Sequence, residues 1–215
     1  MTEKALALLS DRFSLEEVPA GEFAALKIRG MRFTVRAYEA KGLGHVSVLQ
    51  AKGFFGWMHM DTLIVDPLEK DLPMFSCDRV HAFGRELLLG ELYDTLLTPR
   101  PFDSIAAVRA AFSDLKDSDR GTHWYDSIRL PESFAKTGKK ADVPRLEQLE
   151  ERFLAAYLAA TPEEPCDPAA KKAKAAVYVD GLLENGGPST DVFLKALGRE
   201  KTEALFRRVL FGTGI

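Results

Sequence analysis

The first half of the chain alternates apolar and polar residues, as strands do when one face of a sheet is buried. The predicted strands cover residues 24–28, 31–38, 45–50, 54–65 and, roughly, 79–93. Short polar or glycine-containing turns separate most of them, for example at residues 40–44 and at Lys52-Gly53. Successive strands joined by short turns predict an antiparallel meander.

From Pro101 onward, apolar residues recur three or four positions apart, which is the period of an amphipathic helix. Helices are predicted over residues 3–16, 104–115, 143–160, 169–183, 190–197 and 201–210. Strands followed by helices indicate the α+β class. The length of 215 residues fits one domain, which we assign to residues 1–215.

Composition and charge narrow the classes of function. The formal net charge is −3, so the chain has no overall basic field for binding nucleic acid. No apolar run reaches the roughly 18–20 residues of a membrane span, and the first residues lack a signal-peptide pattern. Cys77 and Cys166 are far apart without metal-ligand spacing. We therefore expect a reduced, cytoplasmic protein without a metal, nucleic acid or membrane partner.

Asp78 is the strongest candidate for chemistry. It follows Met74, Phe75 and Cys77, so its carboxyl group is expected to be partly desolvated. Desolvation raises the pKa of a carboxyl group and lets it donate a proton near neutral pH. The alternative is that Asp78 is a turn or cap residue at the end of a strand.

A second candidate group lies on the predicted strand 54–65, where side chains two apart share a face. Trp57, His59 and Asp61 then lie together and could flank a flat conjugated substrate. The alternative is a hydrogen-bonded polar pair on a half-buried sheet. Arg79 and Arg85 share a face turned away from Asp78, so they could bind substrate carboxylates only where a bulge re-aims them. A solvated basic face explains them equally well.

Several segments resemble the ferredoxin-dependent bilin reductases. Residues 71–78 read Asp-Leu-Pro-Met-Phe-Ser-Cys-Asp and resemble the family segment Asp-Ile-Pro-Ile-Phe-Gly-Cys-Asp, whose last residue protonates the bilin. Residues 182–185, 194–198 and 209–212 are similar to the closing helices of the family. Red chlorophyll catabolite reductases belong to the same superfamily. The resemblance implies an α/β/α sandwich with a central antiparallel sheet flanked by helices, and it gives Asp78 the role of proton donor.

The resemblance also implies partners for Asp78, and these differ here from the family. The family has a histidine 17 positions before the catalytic aspartate, where this chain has Asp61, with His59 two residues earlier. We predict Asp61 and His59 as catalytic partners. If Asp61 and Asp78 face one cavity, like-charge repulsion raises the pKa of one of them.

Further family positions supply the predicted substrate contacts. A glutamate of the family falls near Gln50, and an aspartate of a C-terminal helix falls on Gly186 or Gly187, with Asp191 the nearest carboxylate. The predicted substrate-binding residues are Trp57, Gln50, Arg79, Arg85 and Asp191. The loop segment 123–126, His-Trp-Tyr-Asp, is a candidate lid.

The implied function is the reduction of a linear tetrapyrrole without bound metal, flavin or nicotinamide. Electrons come singly from reduced ferredoxin or flavodoxin, and protons come from side chains. Basic surface residues suit the docking of an acidic ferredoxin. The alternatives are a non-catalytic tetrapyrrole-binding protein and an interaction protein on the same fold.

Overall fold

The computed structural model describes residues 2–214, and within them eight strands form one antiparallel sheet. The strands are β1 Leu15–Val18, β2 Ala25–Ile28, β3 Met31–Ala40, β4 Gly44–Gly53, β5 Met58–Asp66, β6 Met74–Ala82, β7 Arg85–Tyr93 and β8 Phe134–Lys139. Their order is β1-β3-β4-β5-β6-β7-β8, and β2 pairs with the other end of β3. The predicted meander is therefore confirmed over β3 to β7.

Helices cover both faces of this sheet. They are α1 Thr2–Ser10, α2 Asp103–Ala111, α3 Val143–Ala159, α4 Pro168–Asn185, α5 Pro188–Leu197 and α6 Arg199–Ala204, which continues into a π-helical turn, Leu205–Leu210. One hydrophobic cluster joins α1, α2 and α3 to what we call the core face of the sheet. A second cluster joins α4, α5, α6 and the π-helical turn to the opposite, pocket face. The predicted α+β sandwich is confirmed.

Several predicted boundaries were wrong. The predicted strand 79–93 is part of two strands, because Phe83-Gly84 forms a tight turn with φ of 50° and 79°. The predicted strand 54–65 begins only at Met58, after a short 3-10 turn. The first helix ends at Ser10 rather than residue 16, and the short strand β1 follows it. Strand β8 was not predicted.

The strand register decides which side chains share a face. Thr62 on β5 lies opposite Asp78 on β6, and Asp78 lies opposite Leu89 on β7. Asp61 lies opposite Arg79. Because successive residues of a strand point to opposite faces, Asp61 and Asp78 point to opposite sides of the sheet.

None of the helices within residues 2–214 is long and apolar enough to cross a membrane. Over the same residues, Cys77 and Cys166 are both free thiols.

Candidate functional site

A cavity of about 1070 Å³, counted with its open mouth, lies between the pocket face and the C-terminal helices. The space inside it that is open to a bound molecule is about 310 Å³, at the lower end of the range for small-molecule sites. Most of its wall is apolar, with the sheet as floor and α4, α5 and the π-helical turn as roof. The polar lining residues are Thr62, Ser76, Asp78, Glu91, Tyr93, Tyr125, Tyr178, Ser189 and Thr190.

Asp78 is the carboxylate of this cavity that forms no ion pair within residues 2–214. Its carboxylate accepts hydrogen bonds from the Thr62 hydroxyl and, at 3.5 Å, from Ser76 Oγ. Burial raises the pKa of Asp78 to about 6, and the nearby Glu91 carboxylate also raises it, whereas the two hydroxyl donors and Arg120 lower it. An acid with such a pKa can hold a proton at near-neutral pH and release it to a ligand.

Glu91 is a second carboxylate in the wall, and no motif or residue pattern predicted it. It lies on β7 opposite Ser76 and is only 4% exposed. The Arg120 guanidinium donates a hydrogen bond to it, and Arg129 Nη1 lies 3.8 Å from its Oε1. These ion pairs compensate the charge of Glu91 and attach the loop that carries the two arginines to the sheet.

Three tyrosines form a cluster beside the two acids. The Tyr93 ring stacks on Tyr178 with centroids 4.3 Å apart, and its edge contacts Tyr125 at 5.6 Å. Burial raises the pKa of Tyr93 and Tyr178 well above the ordinary value and that of Tyr125 to about 12. All three phenols therefore keep their protons at neutral pH and remain hydrogen-bond donors.

The segment 123–126, which was predicted as a lid, packs against α4 through Trp124. Trp124 packs on Gly181, where a Cβ atom would lie 2.2 Å from the ring, and its Nε1 donates to the Gly186 carbonyl at 3.2 Å. Only glycine leaves this space at position 181. The contact holds Tyr125 in the cavity wall.

The prediction that Asp61 and Asp78 share a cavity was wrong. Asp61 lies on the core face, where its Oδ1 accepts a hydrogen bond from Gln50 Nε2 at 2.6 Å and from Thr2 Oγ1 at 3.3 Å. The residue beside Asp78 is Thr62, 16 rather than 17 positions earlier. A change of one position in a strand reverses the face.

The other predicted partners also lie outside the cavity lining. His59 and Arg79 are on the core face with Asp61, and the His59 ring stacks on His81 with centroids 4.9 Å apart. Burial and the neighbouring His81 lower the pKa of His59. Trp57, Arg85 and Asp191 are exposed and are not in the wall either. Within the described wall, Asp78 is the predicted site residue that the fold places in the cavity.

Comparison with solved structures supports the fold. The chain superposes on phytochromobilin synthase from tomato, crystallised as the selenomethionine protein in complex with biliverdin, with a TM-score of 0.80. The match covers 98% of this chain and 81% of that chain at 15% sequence identity. No protein-family model and no curated protein matches the sequence. The resemblance to ferredoxin-dependent bilin reductases is thereby confirmed as a likeness of fold.

Across residues 2–214, no three histidine, cysteine, aspartate or glutamate side chains converge in a way that could hold a metal ion. The polar groups of the cavity are instead hydroxyl groups and two carboxylates. Such a wall can bind an apolar conjugated molecule, orient it by hydrogen bonds and transfer a proton to it.

Proposed function

We propose that this protein binds a linear tetrapyrrole in the cavity on the pocket face and reduces it, with Asp78 as the proton donor. The observation that carries the proposal is a carboxyl group with a pKa of about 6 in the wall of a largely apolar cavity. The ligand class is supported by the shared fold with an enzyme crystallised with biliverdin. Reduced ferredoxin or flavodoxin supplies the electrons in this proposal.

The cavity walls suit a flat, conjugated ligand. Leu49, Met60 and Leu89 form part of an apolar floor, and Phe206 and Phe211 face them from the C-terminal end of the chain. Aromatic and aliphatic surfaces of this kind bury a conjugated ring system. The hydroxyl groups in the wall then orient the polar edges of the ligand.

The chemistry requires two electrons and two protons for each double bond that is reduced. Ferredoxin delivers the electrons one at a time, and each electron makes the ligand more basic. Asp78 then donates its proton, and the Thr62 hydroxyl, already a hydrogen-bond donor to Asp78, stabilises the carboxylate that remains. Water at the mouth reprotonates Asp78 before the second proton transfer. The protein contributes orientation and control of the pKa.

A second candidate function is tetrapyrrole binding without catalysis. Its support is that Thr62, a residue that does not ionise near neutral pH, lies beside Asp78. The catalytic proposal therefore depends on one acid, because the predicted partners Asp61 and His59 lie behind the sheet. A cytoplasmic location and an acidic electron donor stay predictions in both cases.

The test adds biliverdin to the purified protein, records the visible spectrum, and then adds reduced ferredoxin without oxygen. We expect wild type to lose the long-wavelength band and Asp78→Asn to react at least about 100-fold more slowly while still binding the pigment. Asp61→Asn is the matched control, since it removes the same charge from the opposite face. It is expected to react within about twofold of wild type.

The outcomes separate the candidates. A bound but unreduced pigment in wild type would favour the carrier. No binding would mean that the fold is shared without the ligand. Equal loss of rate in Asp61→Asn and Asp78→Asn would overturn the role of the pocket face.

A further inference from the structure

Four exposed aromatic rings gather at one end of the sheet. Phe54 is 52% exposed, Phe55 106%, Trp57 64% and Phe83 66%. The first three lie in the β4–β5 turn and the fourth in the β6–β7 turn. The Phe83 ring centroid lies 6.2 Å from that of Phe54 and 6.3 Å from that of Trp57. We call these four residues the aromatic tip.

The backbone at this tip does not favour aromatic residues. Phe54, Phe55 and Phe83 have φ of 50°, 54° and 50°, in the left-handed region where glycine and asparagine are preferred. The turn at Phe83-Gly84 has positive φ at both central residues, and Asn-Gly is the usual choice there. Folding alone would select small or polar residues at these positions, so the exposed rings point to a binding role.

Six exposed cations surround the aromatic tip. They are Arg29, Arg32, Lys52, Arg85, Lys139 and Lys140. Arg32 pairs in register with Lys52 on the core face, and Arg85 pairs with Lys139 on the pocket face. Within residues 2–214, none of the six forms an ion pair.

Acidic residues at this end are few and engaged. Glu86 is buried and hydrogen-bonded to His81 at 2.7 Å. Asp142 caps the turn after β8 by accepting the Lys139 backbone N–H at 2.8 Å. The local field at the aromatic tip is therefore positive although the whole chain carries a net charge of −3.

We propose that this end of the sheet docks on the surface of an anionic lipid bilayer. The rings protrude from two turn tips, and the cations lie behind them on both faces of the sheet. This places aromatic groups at the headgroup–acyl boundary while the cations contact lipid phosphates, the arrangement of an interfacial anchor. A protein partner would instead be matched by a broad packed patch, because protein interfaces bury a core of contiguous residues.

The cavity extends toward the end of the sheet that carries the aromatic tip, which fits docking of that end on the bilayer. Its floor includes Met60, Val80 and Leu87, two residues along their strands from the row of Met58 and Ala82, which adjoins the two turns of the aromatic tip. A docked protein would hold this apolar floor close to the lipid. The proposal stands on the aromatic tip and its cations, and does not depend on the reaction proposed for the cavity.

The test is flotation of the full chain with vesicles of phosphatidylcholine alone and of phosphatidylcholine mixed with phosphatidylglycerol. We expect binding to the anionic vesicles, with a blue shift of Trp57 emission. The double variant Phe55→Asn with Phe83→Asn should lower the partition coefficient by about tenfold or more, and so should Arg85→Gln with Lys139→Gln. Asparagine accepts positive φ, so the first double variant should fold.

Val177→Asn is the matched control, because Val177 is 66% exposed but lies on α4, outside the aromatic tip. It should bind vesicles like wild type.

Failure of wild type to bind the anionic vesicles, or equal binding by the variants, would overturn the proposal. So would a dimer in lipid-free solution that the asparagine variants abolish, since the rings would then contact a second copy. Loss of ferredoxin-dependent reduction in those variants without lipid would overturn it in favour of an acidic protein partner. The biliverdin experiment, done without lipid, tests the reaction separately.

Discussion

Arg79 on the core face and Asp78 on the pocket face differ in how their charges are compensated. On the core face, Arg79 lies within 3.8 Å of three carboxylates, and Asp61 is hydrogen-bonded to Gln50. On the pocket face, Asp78 accepts hydrogen bonds from two hydroxyl groups, lines the cavity and forms no ion pair within residues 2–214. Charge that is compensated stabilises the fold, whereas charge left uncompensated beside a cavity is available for chemistry.

The two faces also differ in packing density, because the core face is filled and the pocket face borders a cavity. Substitution of one apolar residue on each face should therefore change the free energy of unfolding by different amounts. Phe153 is fully buried between α3 and the core face, so Phe153→Ala should destabilise the protein by about 3–5 kcal/mol. Leu89 lines the existing cavity, so Leu89→Ala should lower stability by only about 1 kcal/mol. Urea denaturation gives both free energies of unfolding. Equal losses would mean that the cavity is closed in solution.

A smaller effect is expected from the charge network of the core face. Arg79→Met leaves the buried Glu86 and Glu150 without their cation and should lower stability by about 3 kcal/mol at pH 8. Burial raises the pKa of Glu150 to about 7, so below that pH Glu150 is protonated and the loss should shrink. Lys4→Met, which breaks the exposed pair with Glu151, is the control and should matter far less. A loss independent of pH would contradict this account.

A stability change of opposite sign is expected from Asp78 on the pocket face. The folded protein holds the Asp78 proton more tightly than the unfolded chain does, because the pKa rises from 3.8 to about 6. Stability contributed by this group is thus full below about pH 4, falls as the pH rises to about 6, and stays low above. Asp78→Asn should therefore stabilise the protein by up to about 3 kcal/mol at pH 8 and leave it unchanged at pH 4.

Denaturation midpoints across this pH range measure that effect. Asp191→Asn removes an exposed carboxylate and serves as the control. Destabilisation by Asp78→Asn at pH 8 would show that the carboxylate has a stabilising partner that the geometry does not reveal.

Much of the sheet could be predicted because alternation reports directly on a half-buried strand, as in β3 and β4. The turn at Phe83-Gly84 was missed because an aromatic residue occupies a position that usually carries a polar one. Strand β8 was missed because its buried residues include Lys136, whose ammonium group donates to the Leu115 carbonyl at 3.0 Å and pairs with Asp117. Burial of a lysine through such contacts leaves no apolar signal in the sequence.

The site was predictable only in part. Asp78 could be predicted because residues 71–78 resemble a segment of the bilin reductases, whereas its apolar neighbours alone left a turn or cap role open. Thr62 could not, since motif spacing gives a distance along the chain and not the register of two strands. Glu91 and Tyr178 meet Asp78 only through the folding of distant segments, and neither lies in a pattern that marks it.

The order of elements along the chain has a consequence for folding. Strands β3 to β7 pair with their neighbours in sequence through short connections, so the sheet can form with little loss of chain entropy. The roof of the cavity depends on contacts between residues 163 and 164 positions apart, from Ser47 to Leu210 and from His45 to Val209. We therefore expect the C-terminal helices to dock late, on a sheet already formed. A ligand that contacts both the sheet and the C-terminal helices would then accelerate the docking of these helices, in addition to binding the folded protein.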